Sequence, residues 1–321
     1  MFSLIQKRRY FFLISALVIV PGLLLMIYST VTTGAPFRLS IDFVGGSIYE
    51  LKFTADGATE SGIRDVFNQF GDENVLIQRL GAPEDYRWSV RAAFRENTDE
   101  IEQIVTALNT LAPLDRDSLR IERVSPTVGG EVAQAAFLAV VVATIVVTGF
   151  IVIAFRQVPN AFRYGVCAIL AMIHDVLVIA SAMSLLGLLL GWEVDALFLT
   201  AVLTTVGFSV QDTIVLFDRI RENIPIHLGE PYEAIVNRSI LETIHRSLAT
   251  QLNAFFVMAA ILLFGGESIK QFIALLFIGL LTGTYSSIFT AVPLLVAWEK
   301  GEIPFINRRK HKTDELAAEG A

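Results

Sequence analysis

The 321-residue chain is 54% hydrophobic and only 18% charged, with a mean hydropathy of +0.59, a balance that excludes a single soluble core. Its net charge of −7 implies no nucleic-acid partner. A lone cysteine, Cys167, excludes a disulfide framework, and His174, His227, His245 and His311 form no metal-ligand spacing. Neither a Walker A loop nor an H-E-x-x-H motif occurs, so no metal and no cofactor are expected, nor is ATP bound to this chain expected as an energy source.

In chain order, Lys7, Arg8 and Arg9 precede an apolar run, Phe11–Tyr28, that is too long for a signal-peptide core and lacks a clear cleavage site. It reads as an uncleaved anchor, residues 1–30, in which Pro21 is tolerated as membrane helices tolerate it. Residues 31–131 are polar and alternate strand and helix signals. Ser47–Thr54 is rich in β-formers, with Ile48, Tyr49, Leu51 and Phe53. Thr59–Phe70 carries Ile63, Val66, Phe67 and Phe70 at helical spacing. Val75–Leu80 and Tyr86–Phe94 read as strands around a Gly81–Asp85 turn, Thr98–Leu111 as a helix, and Ser118–Val124 as a last strand. The order βαββαβ predicts a ferredoxin-like α+β domain, a fold that names no function by itself. Just before it, Asp42-Phe43-Val44-Gly45-Gly46 holds paired glycines. They suit either a tight turn or a site touching a passing chain or partner domain.

Five further apolar stretches occupy residues 132–298: Val132–Phe155, Phe162–Leu190, Ala196–Phe217, Ser247–Phe264 and Phe272–Trp298. Residues 299–321 form a basic tail. Arg156, Arg163, Arg219, Arg221, Arg238 and Arg246 fall in the same set of short segments as the basic N-terminus, whereas the opposite loops offer only Lys270. The positive-inside rule therefore predicts cytoplasmic termini, an extracytoplasmic α+β domain and a plasma-membrane location.

Acids within these stretches are the chief anomaly. At 1.5 Å per residue, Asp175 lies roughly 18 Å deep and Asp212 roughly 10 Å from the same side, levels about 7 Å apart. A carboxylate at the centre of a membrane helix costs roughly 2.5–3.5 kcal/mol on insertion scales. Such a group moves protons, binds an ion or pairs with a cation. Ser209, Thr205 and Phe208 share the Asp212 face, while Gln211 and Thr213 flank it. His174 adjoins Asp175 and either supports a relay or forms a static pair with it. Arg246 opens the fifth span after an amphipathic segment, Tyr232–His245, and either reaches toward Asp212 or snorkels to the interface. Ser247 and Thr250 continue the polar run. In the sixth span Gly279, Gly283 and Ser287 recur every four residues, a small-residue face for close helix packing.

Several stretches together resemble the SecD/SecF family of the bacterial Sec protein-export machinery, on its SecF side. They are Asp42–Gly46, His174-Asp175-Val176, Ser209–Asn223, Gly265–Ser268 and Gly283–Phe289. The resemblance implies half of a resistance–nodulation–division-type transporter: six membrane helices and one extracytoplasmic ferredoxin-like domain. It also implies a SecD partner, the SecYEG channel, a translocating polypeptide and a lipid bilayer as its surroundings. The proton-motive force would be the energy source, protons the coupling ion, and the chain no enzyme. The family's membrane acid maps onto Asp212 and its arginine onto Arg246; beside them, Asp175 is read from its depth as a candidate secondary relay. Gln211 stands where the family often has Asn, and the run after Arg246, Ser247-Leu248-Ala249-Thr250-Gln251, is poorer in hydroxyls than usual. The rival readings are half of a small-molecule or lipid exporter and a passive scaffold of the translocon.

Overall fold

The computed structural model describes residues 4–156 and 161–302, without the side chains of Ala161, Glu267 and Ser268. His311 and the basic residues Arg308, Arg309, Lys310 and Lys312 lie outside the described residues. Two compact units result, one of residues 1–38 and 140–321, the other of residues 39–139.

Helix α1 (Arg8–Thr33) runs through Pro21 and ends at Gly34, whose φ of +82° supplies a left-handed cap. In the second unit a single helical turn, α2 (Ile41–Val44), is capped by the Ser40 side chain. Then follow β1 (Gly46–Lys52), α3 (Glu60–Gln69), β2 (Leu76–Leu80), β3 (Arg87–Ala92), α4 (Thr98–Leu111) and β4 (Arg120–Val124). The sheet order is β2-β3-β1-β4, and every neighbouring pair is antiparallel. That is the ferredoxin-like arrangement expected from the βαββαβ order.

Local chemistry sets these elements. Thr59 and Asn97 cap α3 and α4 by accepting the backbone N–H of Gly62 and Asp99. Tyr49, Leu51 and Phe53 alternate onto one sheet face, where they meet Ile63, Val66 and Phe67 of α3 and Ile101, Ile104 and Leu108 of α4. This unit also takes in the first turns of helix α5 (Pro126–Ala154), which begins six residues before the apolar stretch itself.

The remaining elements are α6 (Ala161–Leu190), α7 (Ala196–Ile226), α8 (Tyr232–Phe264), α9 (Glu267–Ser286), a π-helical turn at Ser287–Ala291, and α10 (Val292–Glu299). Among the described residues six segments, counting α9 to α10 as one, are long and apolar enough to cross a membrane. Half of the apolar window of α6 and of α7 is buried, against 6% for α1 and α5. The polar residues on α6 and α7 therefore sit at the centre of the bundle, and α1 and α5 at its rim.

Three features depart from the apolar stretches. Helix α7 continues nine residues past Phe217, and α8 starts fifteen residues before Ser247, taking in the whole amphipathic segment. Hydropathy marks only the apolar length; the extensions are held by polar contacts. Asn223 donates to Ser239 at 3.0 Å and to Glu242 at 2.8 Å, and Arg219 pairs with Glu242 at 2.7 Å. The last span is not one regular helix. Pro293 has no N–H to give and its ring crowds the preceding turn, and the wider π-turn stands just before it.

Candidate functional site

Helical spacing on α7 places Thr205, Ser209 and Asp212 along one buried side. Opposite it, α6 presents His174 and Asp175, the latter fully buried. Both oxygens of Asp175 are occupied. Oδ2 accepts the hydroxyls of Ser209, in a short contact, and of Ser286 from α9 at 2.7 Å. Oδ1 lies 3.0 Å from His174 Nδ1, and His174 Nε2 lies 2.9 Å from the Ser15 hydroxyl on α1. With its proton on Nδ1, the neutral imidazole donates to the carboxylate and accepts from Ser15. The Tyr285 ring stacks over His174 at 6.0 Å and donates its hydroxyl to the Phe11 carbonyl of α1. Three helices thus meet on one carboxylate, and α1 joins them through His174.

Asp212 is in a different situation. It is 8% exposed, and Oδ2 accepts one hydrogen bond, from Gln251 Nε2 on α8 at 2.8 Å. Ser209 precedes it by three residues, so the two acids stand about one helical turn apart along α7. Of the two readings of Arg246, the structure does not form the contact with Asp212: the Arg246 side chain is exposed and makes no hydrogen bond or ion pair with that acid. Helix geometry gives the reason. On α8, Ser247, Gln251 and Met258 are buried, whereas Arg246 and Thr250 are turned about 100° away and exposed. Gln251 is thus the residue that sequence reasoning left out of the site. Its i, i+4 relation to Ser247 was the available signal.

The chain's relatives bear directly on this geometry. The family model described as "Protein export membrane protein SecD/SecF, C-terminal" matches residues 103–301, and "SecD/SecF GG Motif" matches residues 31–56. A protein translocase subunit SecF of Anaerolinea thermophila is 45% identical over 94% of this chain and 96% of its own. One of Thermobaculum terrenum is 39% identical over 96% and 98%. The chain belongs to the SecD/SecF family. Among solved structures, SecDF of Thermus thermophilus, described as a translocon-associated membrane protein, matches with a TM-score of 0.73 at 30% identity. The match covers 93% of this chain and 39% of the SecDF chain, so the chain spans about two fifths of that longer protein. With six apolar helices and SecF relatives, it is a multi-pass membrane protein.

The family's two matched regions divide the remaining residues between them. The GG motif covers α2 and β1, and at the junction between them Gly45 and Gly46 adopt φ of +76° and +137°. A Cβ on Gly45 would lie 2.6 Å from Pro126 Cα, and one on Gly129 of α5 would lie 2.8 Å from the Gly45 nitrogen. The glycines therefore let the Asp42–Gly46 turn cross the start of α5 backbone to backbone. In the C-terminal region Gly279 faces Thr205 and Gly283 faces Ser209, which brings α9 onto α7. Ser287 is buried at the π-turn and donates to the Thr284 carbonyl. Thr213 donates to the Ser209 carbonyl at 2.9 Å and exposed Thr250 to the Arg246 carbonyl at 3.0 Å. Neither hydroxyl is engaged by an acid. Gln211 is exposed on the other side of α7, at a mostly apolar groove of about 470 Å³ with Val147 and Phe150 of α5.

Proposed function

We propose that the chain is an accessory subunit of Sec protein export that pairs with a SecD partner beside the SecYEG channel. There it uses the proton-motive force to assist translocation or release of polypeptides. The observation that carries this reading is Asp212, a buried mid-helix carboxylate with a single hydrogen-bond partner in a SecD/SecF-family bundle. Proton binding removes a charge that one amide only partly compensates. A proton crossing the membrane field releases roughly 2.3 kcal/mol per 100 mV, enough to shift a two-state helix equilibrium by well over tenfold.

The other polar residues take their roles from their contacts. Asp175, with three partners, acts as the acceptor that fastens α6, α7 and α9 together, and α1 through His174, in place of the secondary relay expected from its depth. Arg246 stands apart from Asp212 here and pairs with it in a second arrangement of α8. A SecD partner is supported by length, since the chain spans about two fifths of a solved SecDF chain. Charge asymmetry supports cytoplasmic termini and an extracytoplasmic ferredoxin-like unit.

Reconstitution with SecD and the channel in proteoliposomes tests the reading. Export should be stimulated by an imposed proton gradient, and Asp212→Asn should abolish that stimulation while leaving assembly intact. Full stimulation by the variant would refute the mechanism. A passive scaffold predicts equal export with and without the gradient.

A further inference from the structure

Gln251 presents an asymmetry. Its side chain is 3% exposed and its Nε2 donates to Asp212 Oδ2 at 2.8 Å, yet its Oε1 is buried and accepts no hydrogen bond among the described residues. Buried polar atoms are nearly always paired, because desolvation without a partner is unfavourable. A carboxylate carries acceptors only, so it can engage the N–H end of the amide and must leave the carbonyl end idle. A carboxylic acid carries an O–H donor as well. An acid and an amide facing each other then close a two-bond ring, N–H to carbonyl oxygen and O–H to amide oxygen. The idle Oε1 is the acceptor that a protonated Asp212 needs.

We propose that Gln251 is the positioning residue for Asp212 in both protonation states, donating Nε2–H to the carboxylate and accepting the acid's O–H at Oε1. The proposal rests on Asp212 titrating as in the proposed function, and it deepens that reading by naming what receives the proton's hydrogen bond. Competing acceptors and charges are engaged elsewhere. Ser209 is committed to Asp175, and Thr213 to a backbone carbonyl. On α6, His174 and Asp175 bond each other, Ser15, Ser209 and Ser286. On α8, Glu242 pairs with Arg219, and neither His245 nor Arg246 bonds Asp212. On α9 between Gln271 and Ser286 the one ionisable side chain is Tyr285, which bonds the Phe11 carbonyl.

A swap of this kind keeps the acid anchored to α8 whether or not it carries a proton. Without it, each protonation event would leave an O–H buried with no acceptor, or let the side chain swing away from the helix it is meant to move.

Infrared difference spectra of the full chain in lipid vesicles, recorded across a pH titration, test the pairing. The Asp212 acid carbonyl band is the one missing from Asp212→Asn. In Gln251→Met, an apolar side chain of similar length, that band should move to higher frequency because the acid has lost its partner. An unmoved band overturns the pairing and leaves Asp212 as the titrating group. Absence of any Asp212-dependent band in the unaltered chain overturns both. Should Gln251→Met fail to assemble, carbon-13-labelled glutamine side-chain carbonyls in a Gln211→Met background carry the test. A glutamine band should then fall in frequency as Asp212 protonates and stay fixed in Asp212→Asn; a band that stays fixed in both overturns the pairing.

Discussion

Replacing Asp175 separates a structural acceptor from a proton relay. Asp175→Leu strands two buried groups at once, the hydroxyl of Ser209 and the Nδ1 of His174, while the Ser286 hydroxyl falls back on the Gly283 carbonyl that it already meets at 3.2 Å. Each buried donor left without a partner costs about 1–3 kcal/mol, so the bundle should lose several kcal/mol. Asp175→Asn should be far milder. Ser209 and Ser286 bond the same oxygen, which the amide carbonyl can replace, while the new NH2 faces His174. The imidazole then moves its proton to Nε2 and donates to Ser15, whose hydroxyl works in either direction. Loss of the charge-assisted part of these bonds should cost about 1 kcal/mol. Cys167 offers the assay, since it is the chain's single thiol and is fully buried in the bundle core. A thiol-reactive fluorophore reports its exposure as detergent-solubilised protein is heated. Equal unfolding midpoints for the Leu and Asn variants would refute the claim that this carboxylate fastens the four helices. A normal Asn midpoint combined with lost proton stimulation would return Asp175 to the relay.

Two further substitutions test the packing. Gly279→Leu drives a side chain into Thr205, whose Cγ2 would lie 2.8 Å from the new Cβ, and should destabilise the α7–α9 contact by about 1–3 kcal/mol in the same thiol-exposure assay. In the ferredoxin-like unit, Tyr49 is fully buried and its hydroxyl has no partner among the described residues. Tyr49→Phe removes that uncompensated group and should stabilise the unit by about 1 kcal/mol, measured as slower proteolysis of the full chain at residues 39–139. Burial also pushes the Tyr49 phenol above its ordinary value of 10.0. The unfolded phenol ionises first, so stability is unaffected by this group below pH 10.0 and falls as the pH rises from there through the higher folded value; Tyr49→Phe should abolish that alkaline loss.

Much of the architecture was legible because it depends on periodicity. Period-two burial at Tyr49, Leu51 and Phe53, helical spacing at Ile101, Ile104 and Leu108, and six apolar lengths suffice for the layers and the spans. Boundaries set by polar contacts were not legible. Nothing in an apolar window announces that Asn223 will bridge Ser239 and Glu242, so the hairpin of α7 and α8 looked shorter than it is. Within the site, the acids were conspicuous because their insertion cost is large. Their partners were not, because pairing depends on helix rotation. Arg246 drew attention through its charge, while uncharged Gln251 occupied the face that meets Asp212.

Two carboxylates about one turn apart along α7 thus face opposite physical demands. Asp175 is surrounded by donors from three helices, an arrangement that holds its oxygens in one place and makes any change at it expensive for the whole bundle. Asp212 faces α8 alone, through one amide, so a change in its charge acts chiefly on the α7–α8 contact. That asymmetry favours a motion of α8 against a fixed core of α6, α7 and α9. The rotation that would bring Arg246 toward Asp212 is about 100°, or less if the side chain extends, and Ser247 and Gln251 would leave the interface as it arrives. On the proposed mechanism Gln251 holds Asp212 throughout this arrangement of α8, protonated or not, and Arg246 would be its partner only in the other arrangement. A disulfide designed to lock the α7–α8 contact in the arrangement seen here should keep Asp212 on Gln251 and abolish proton-dependent stimulation, which reduction should restore.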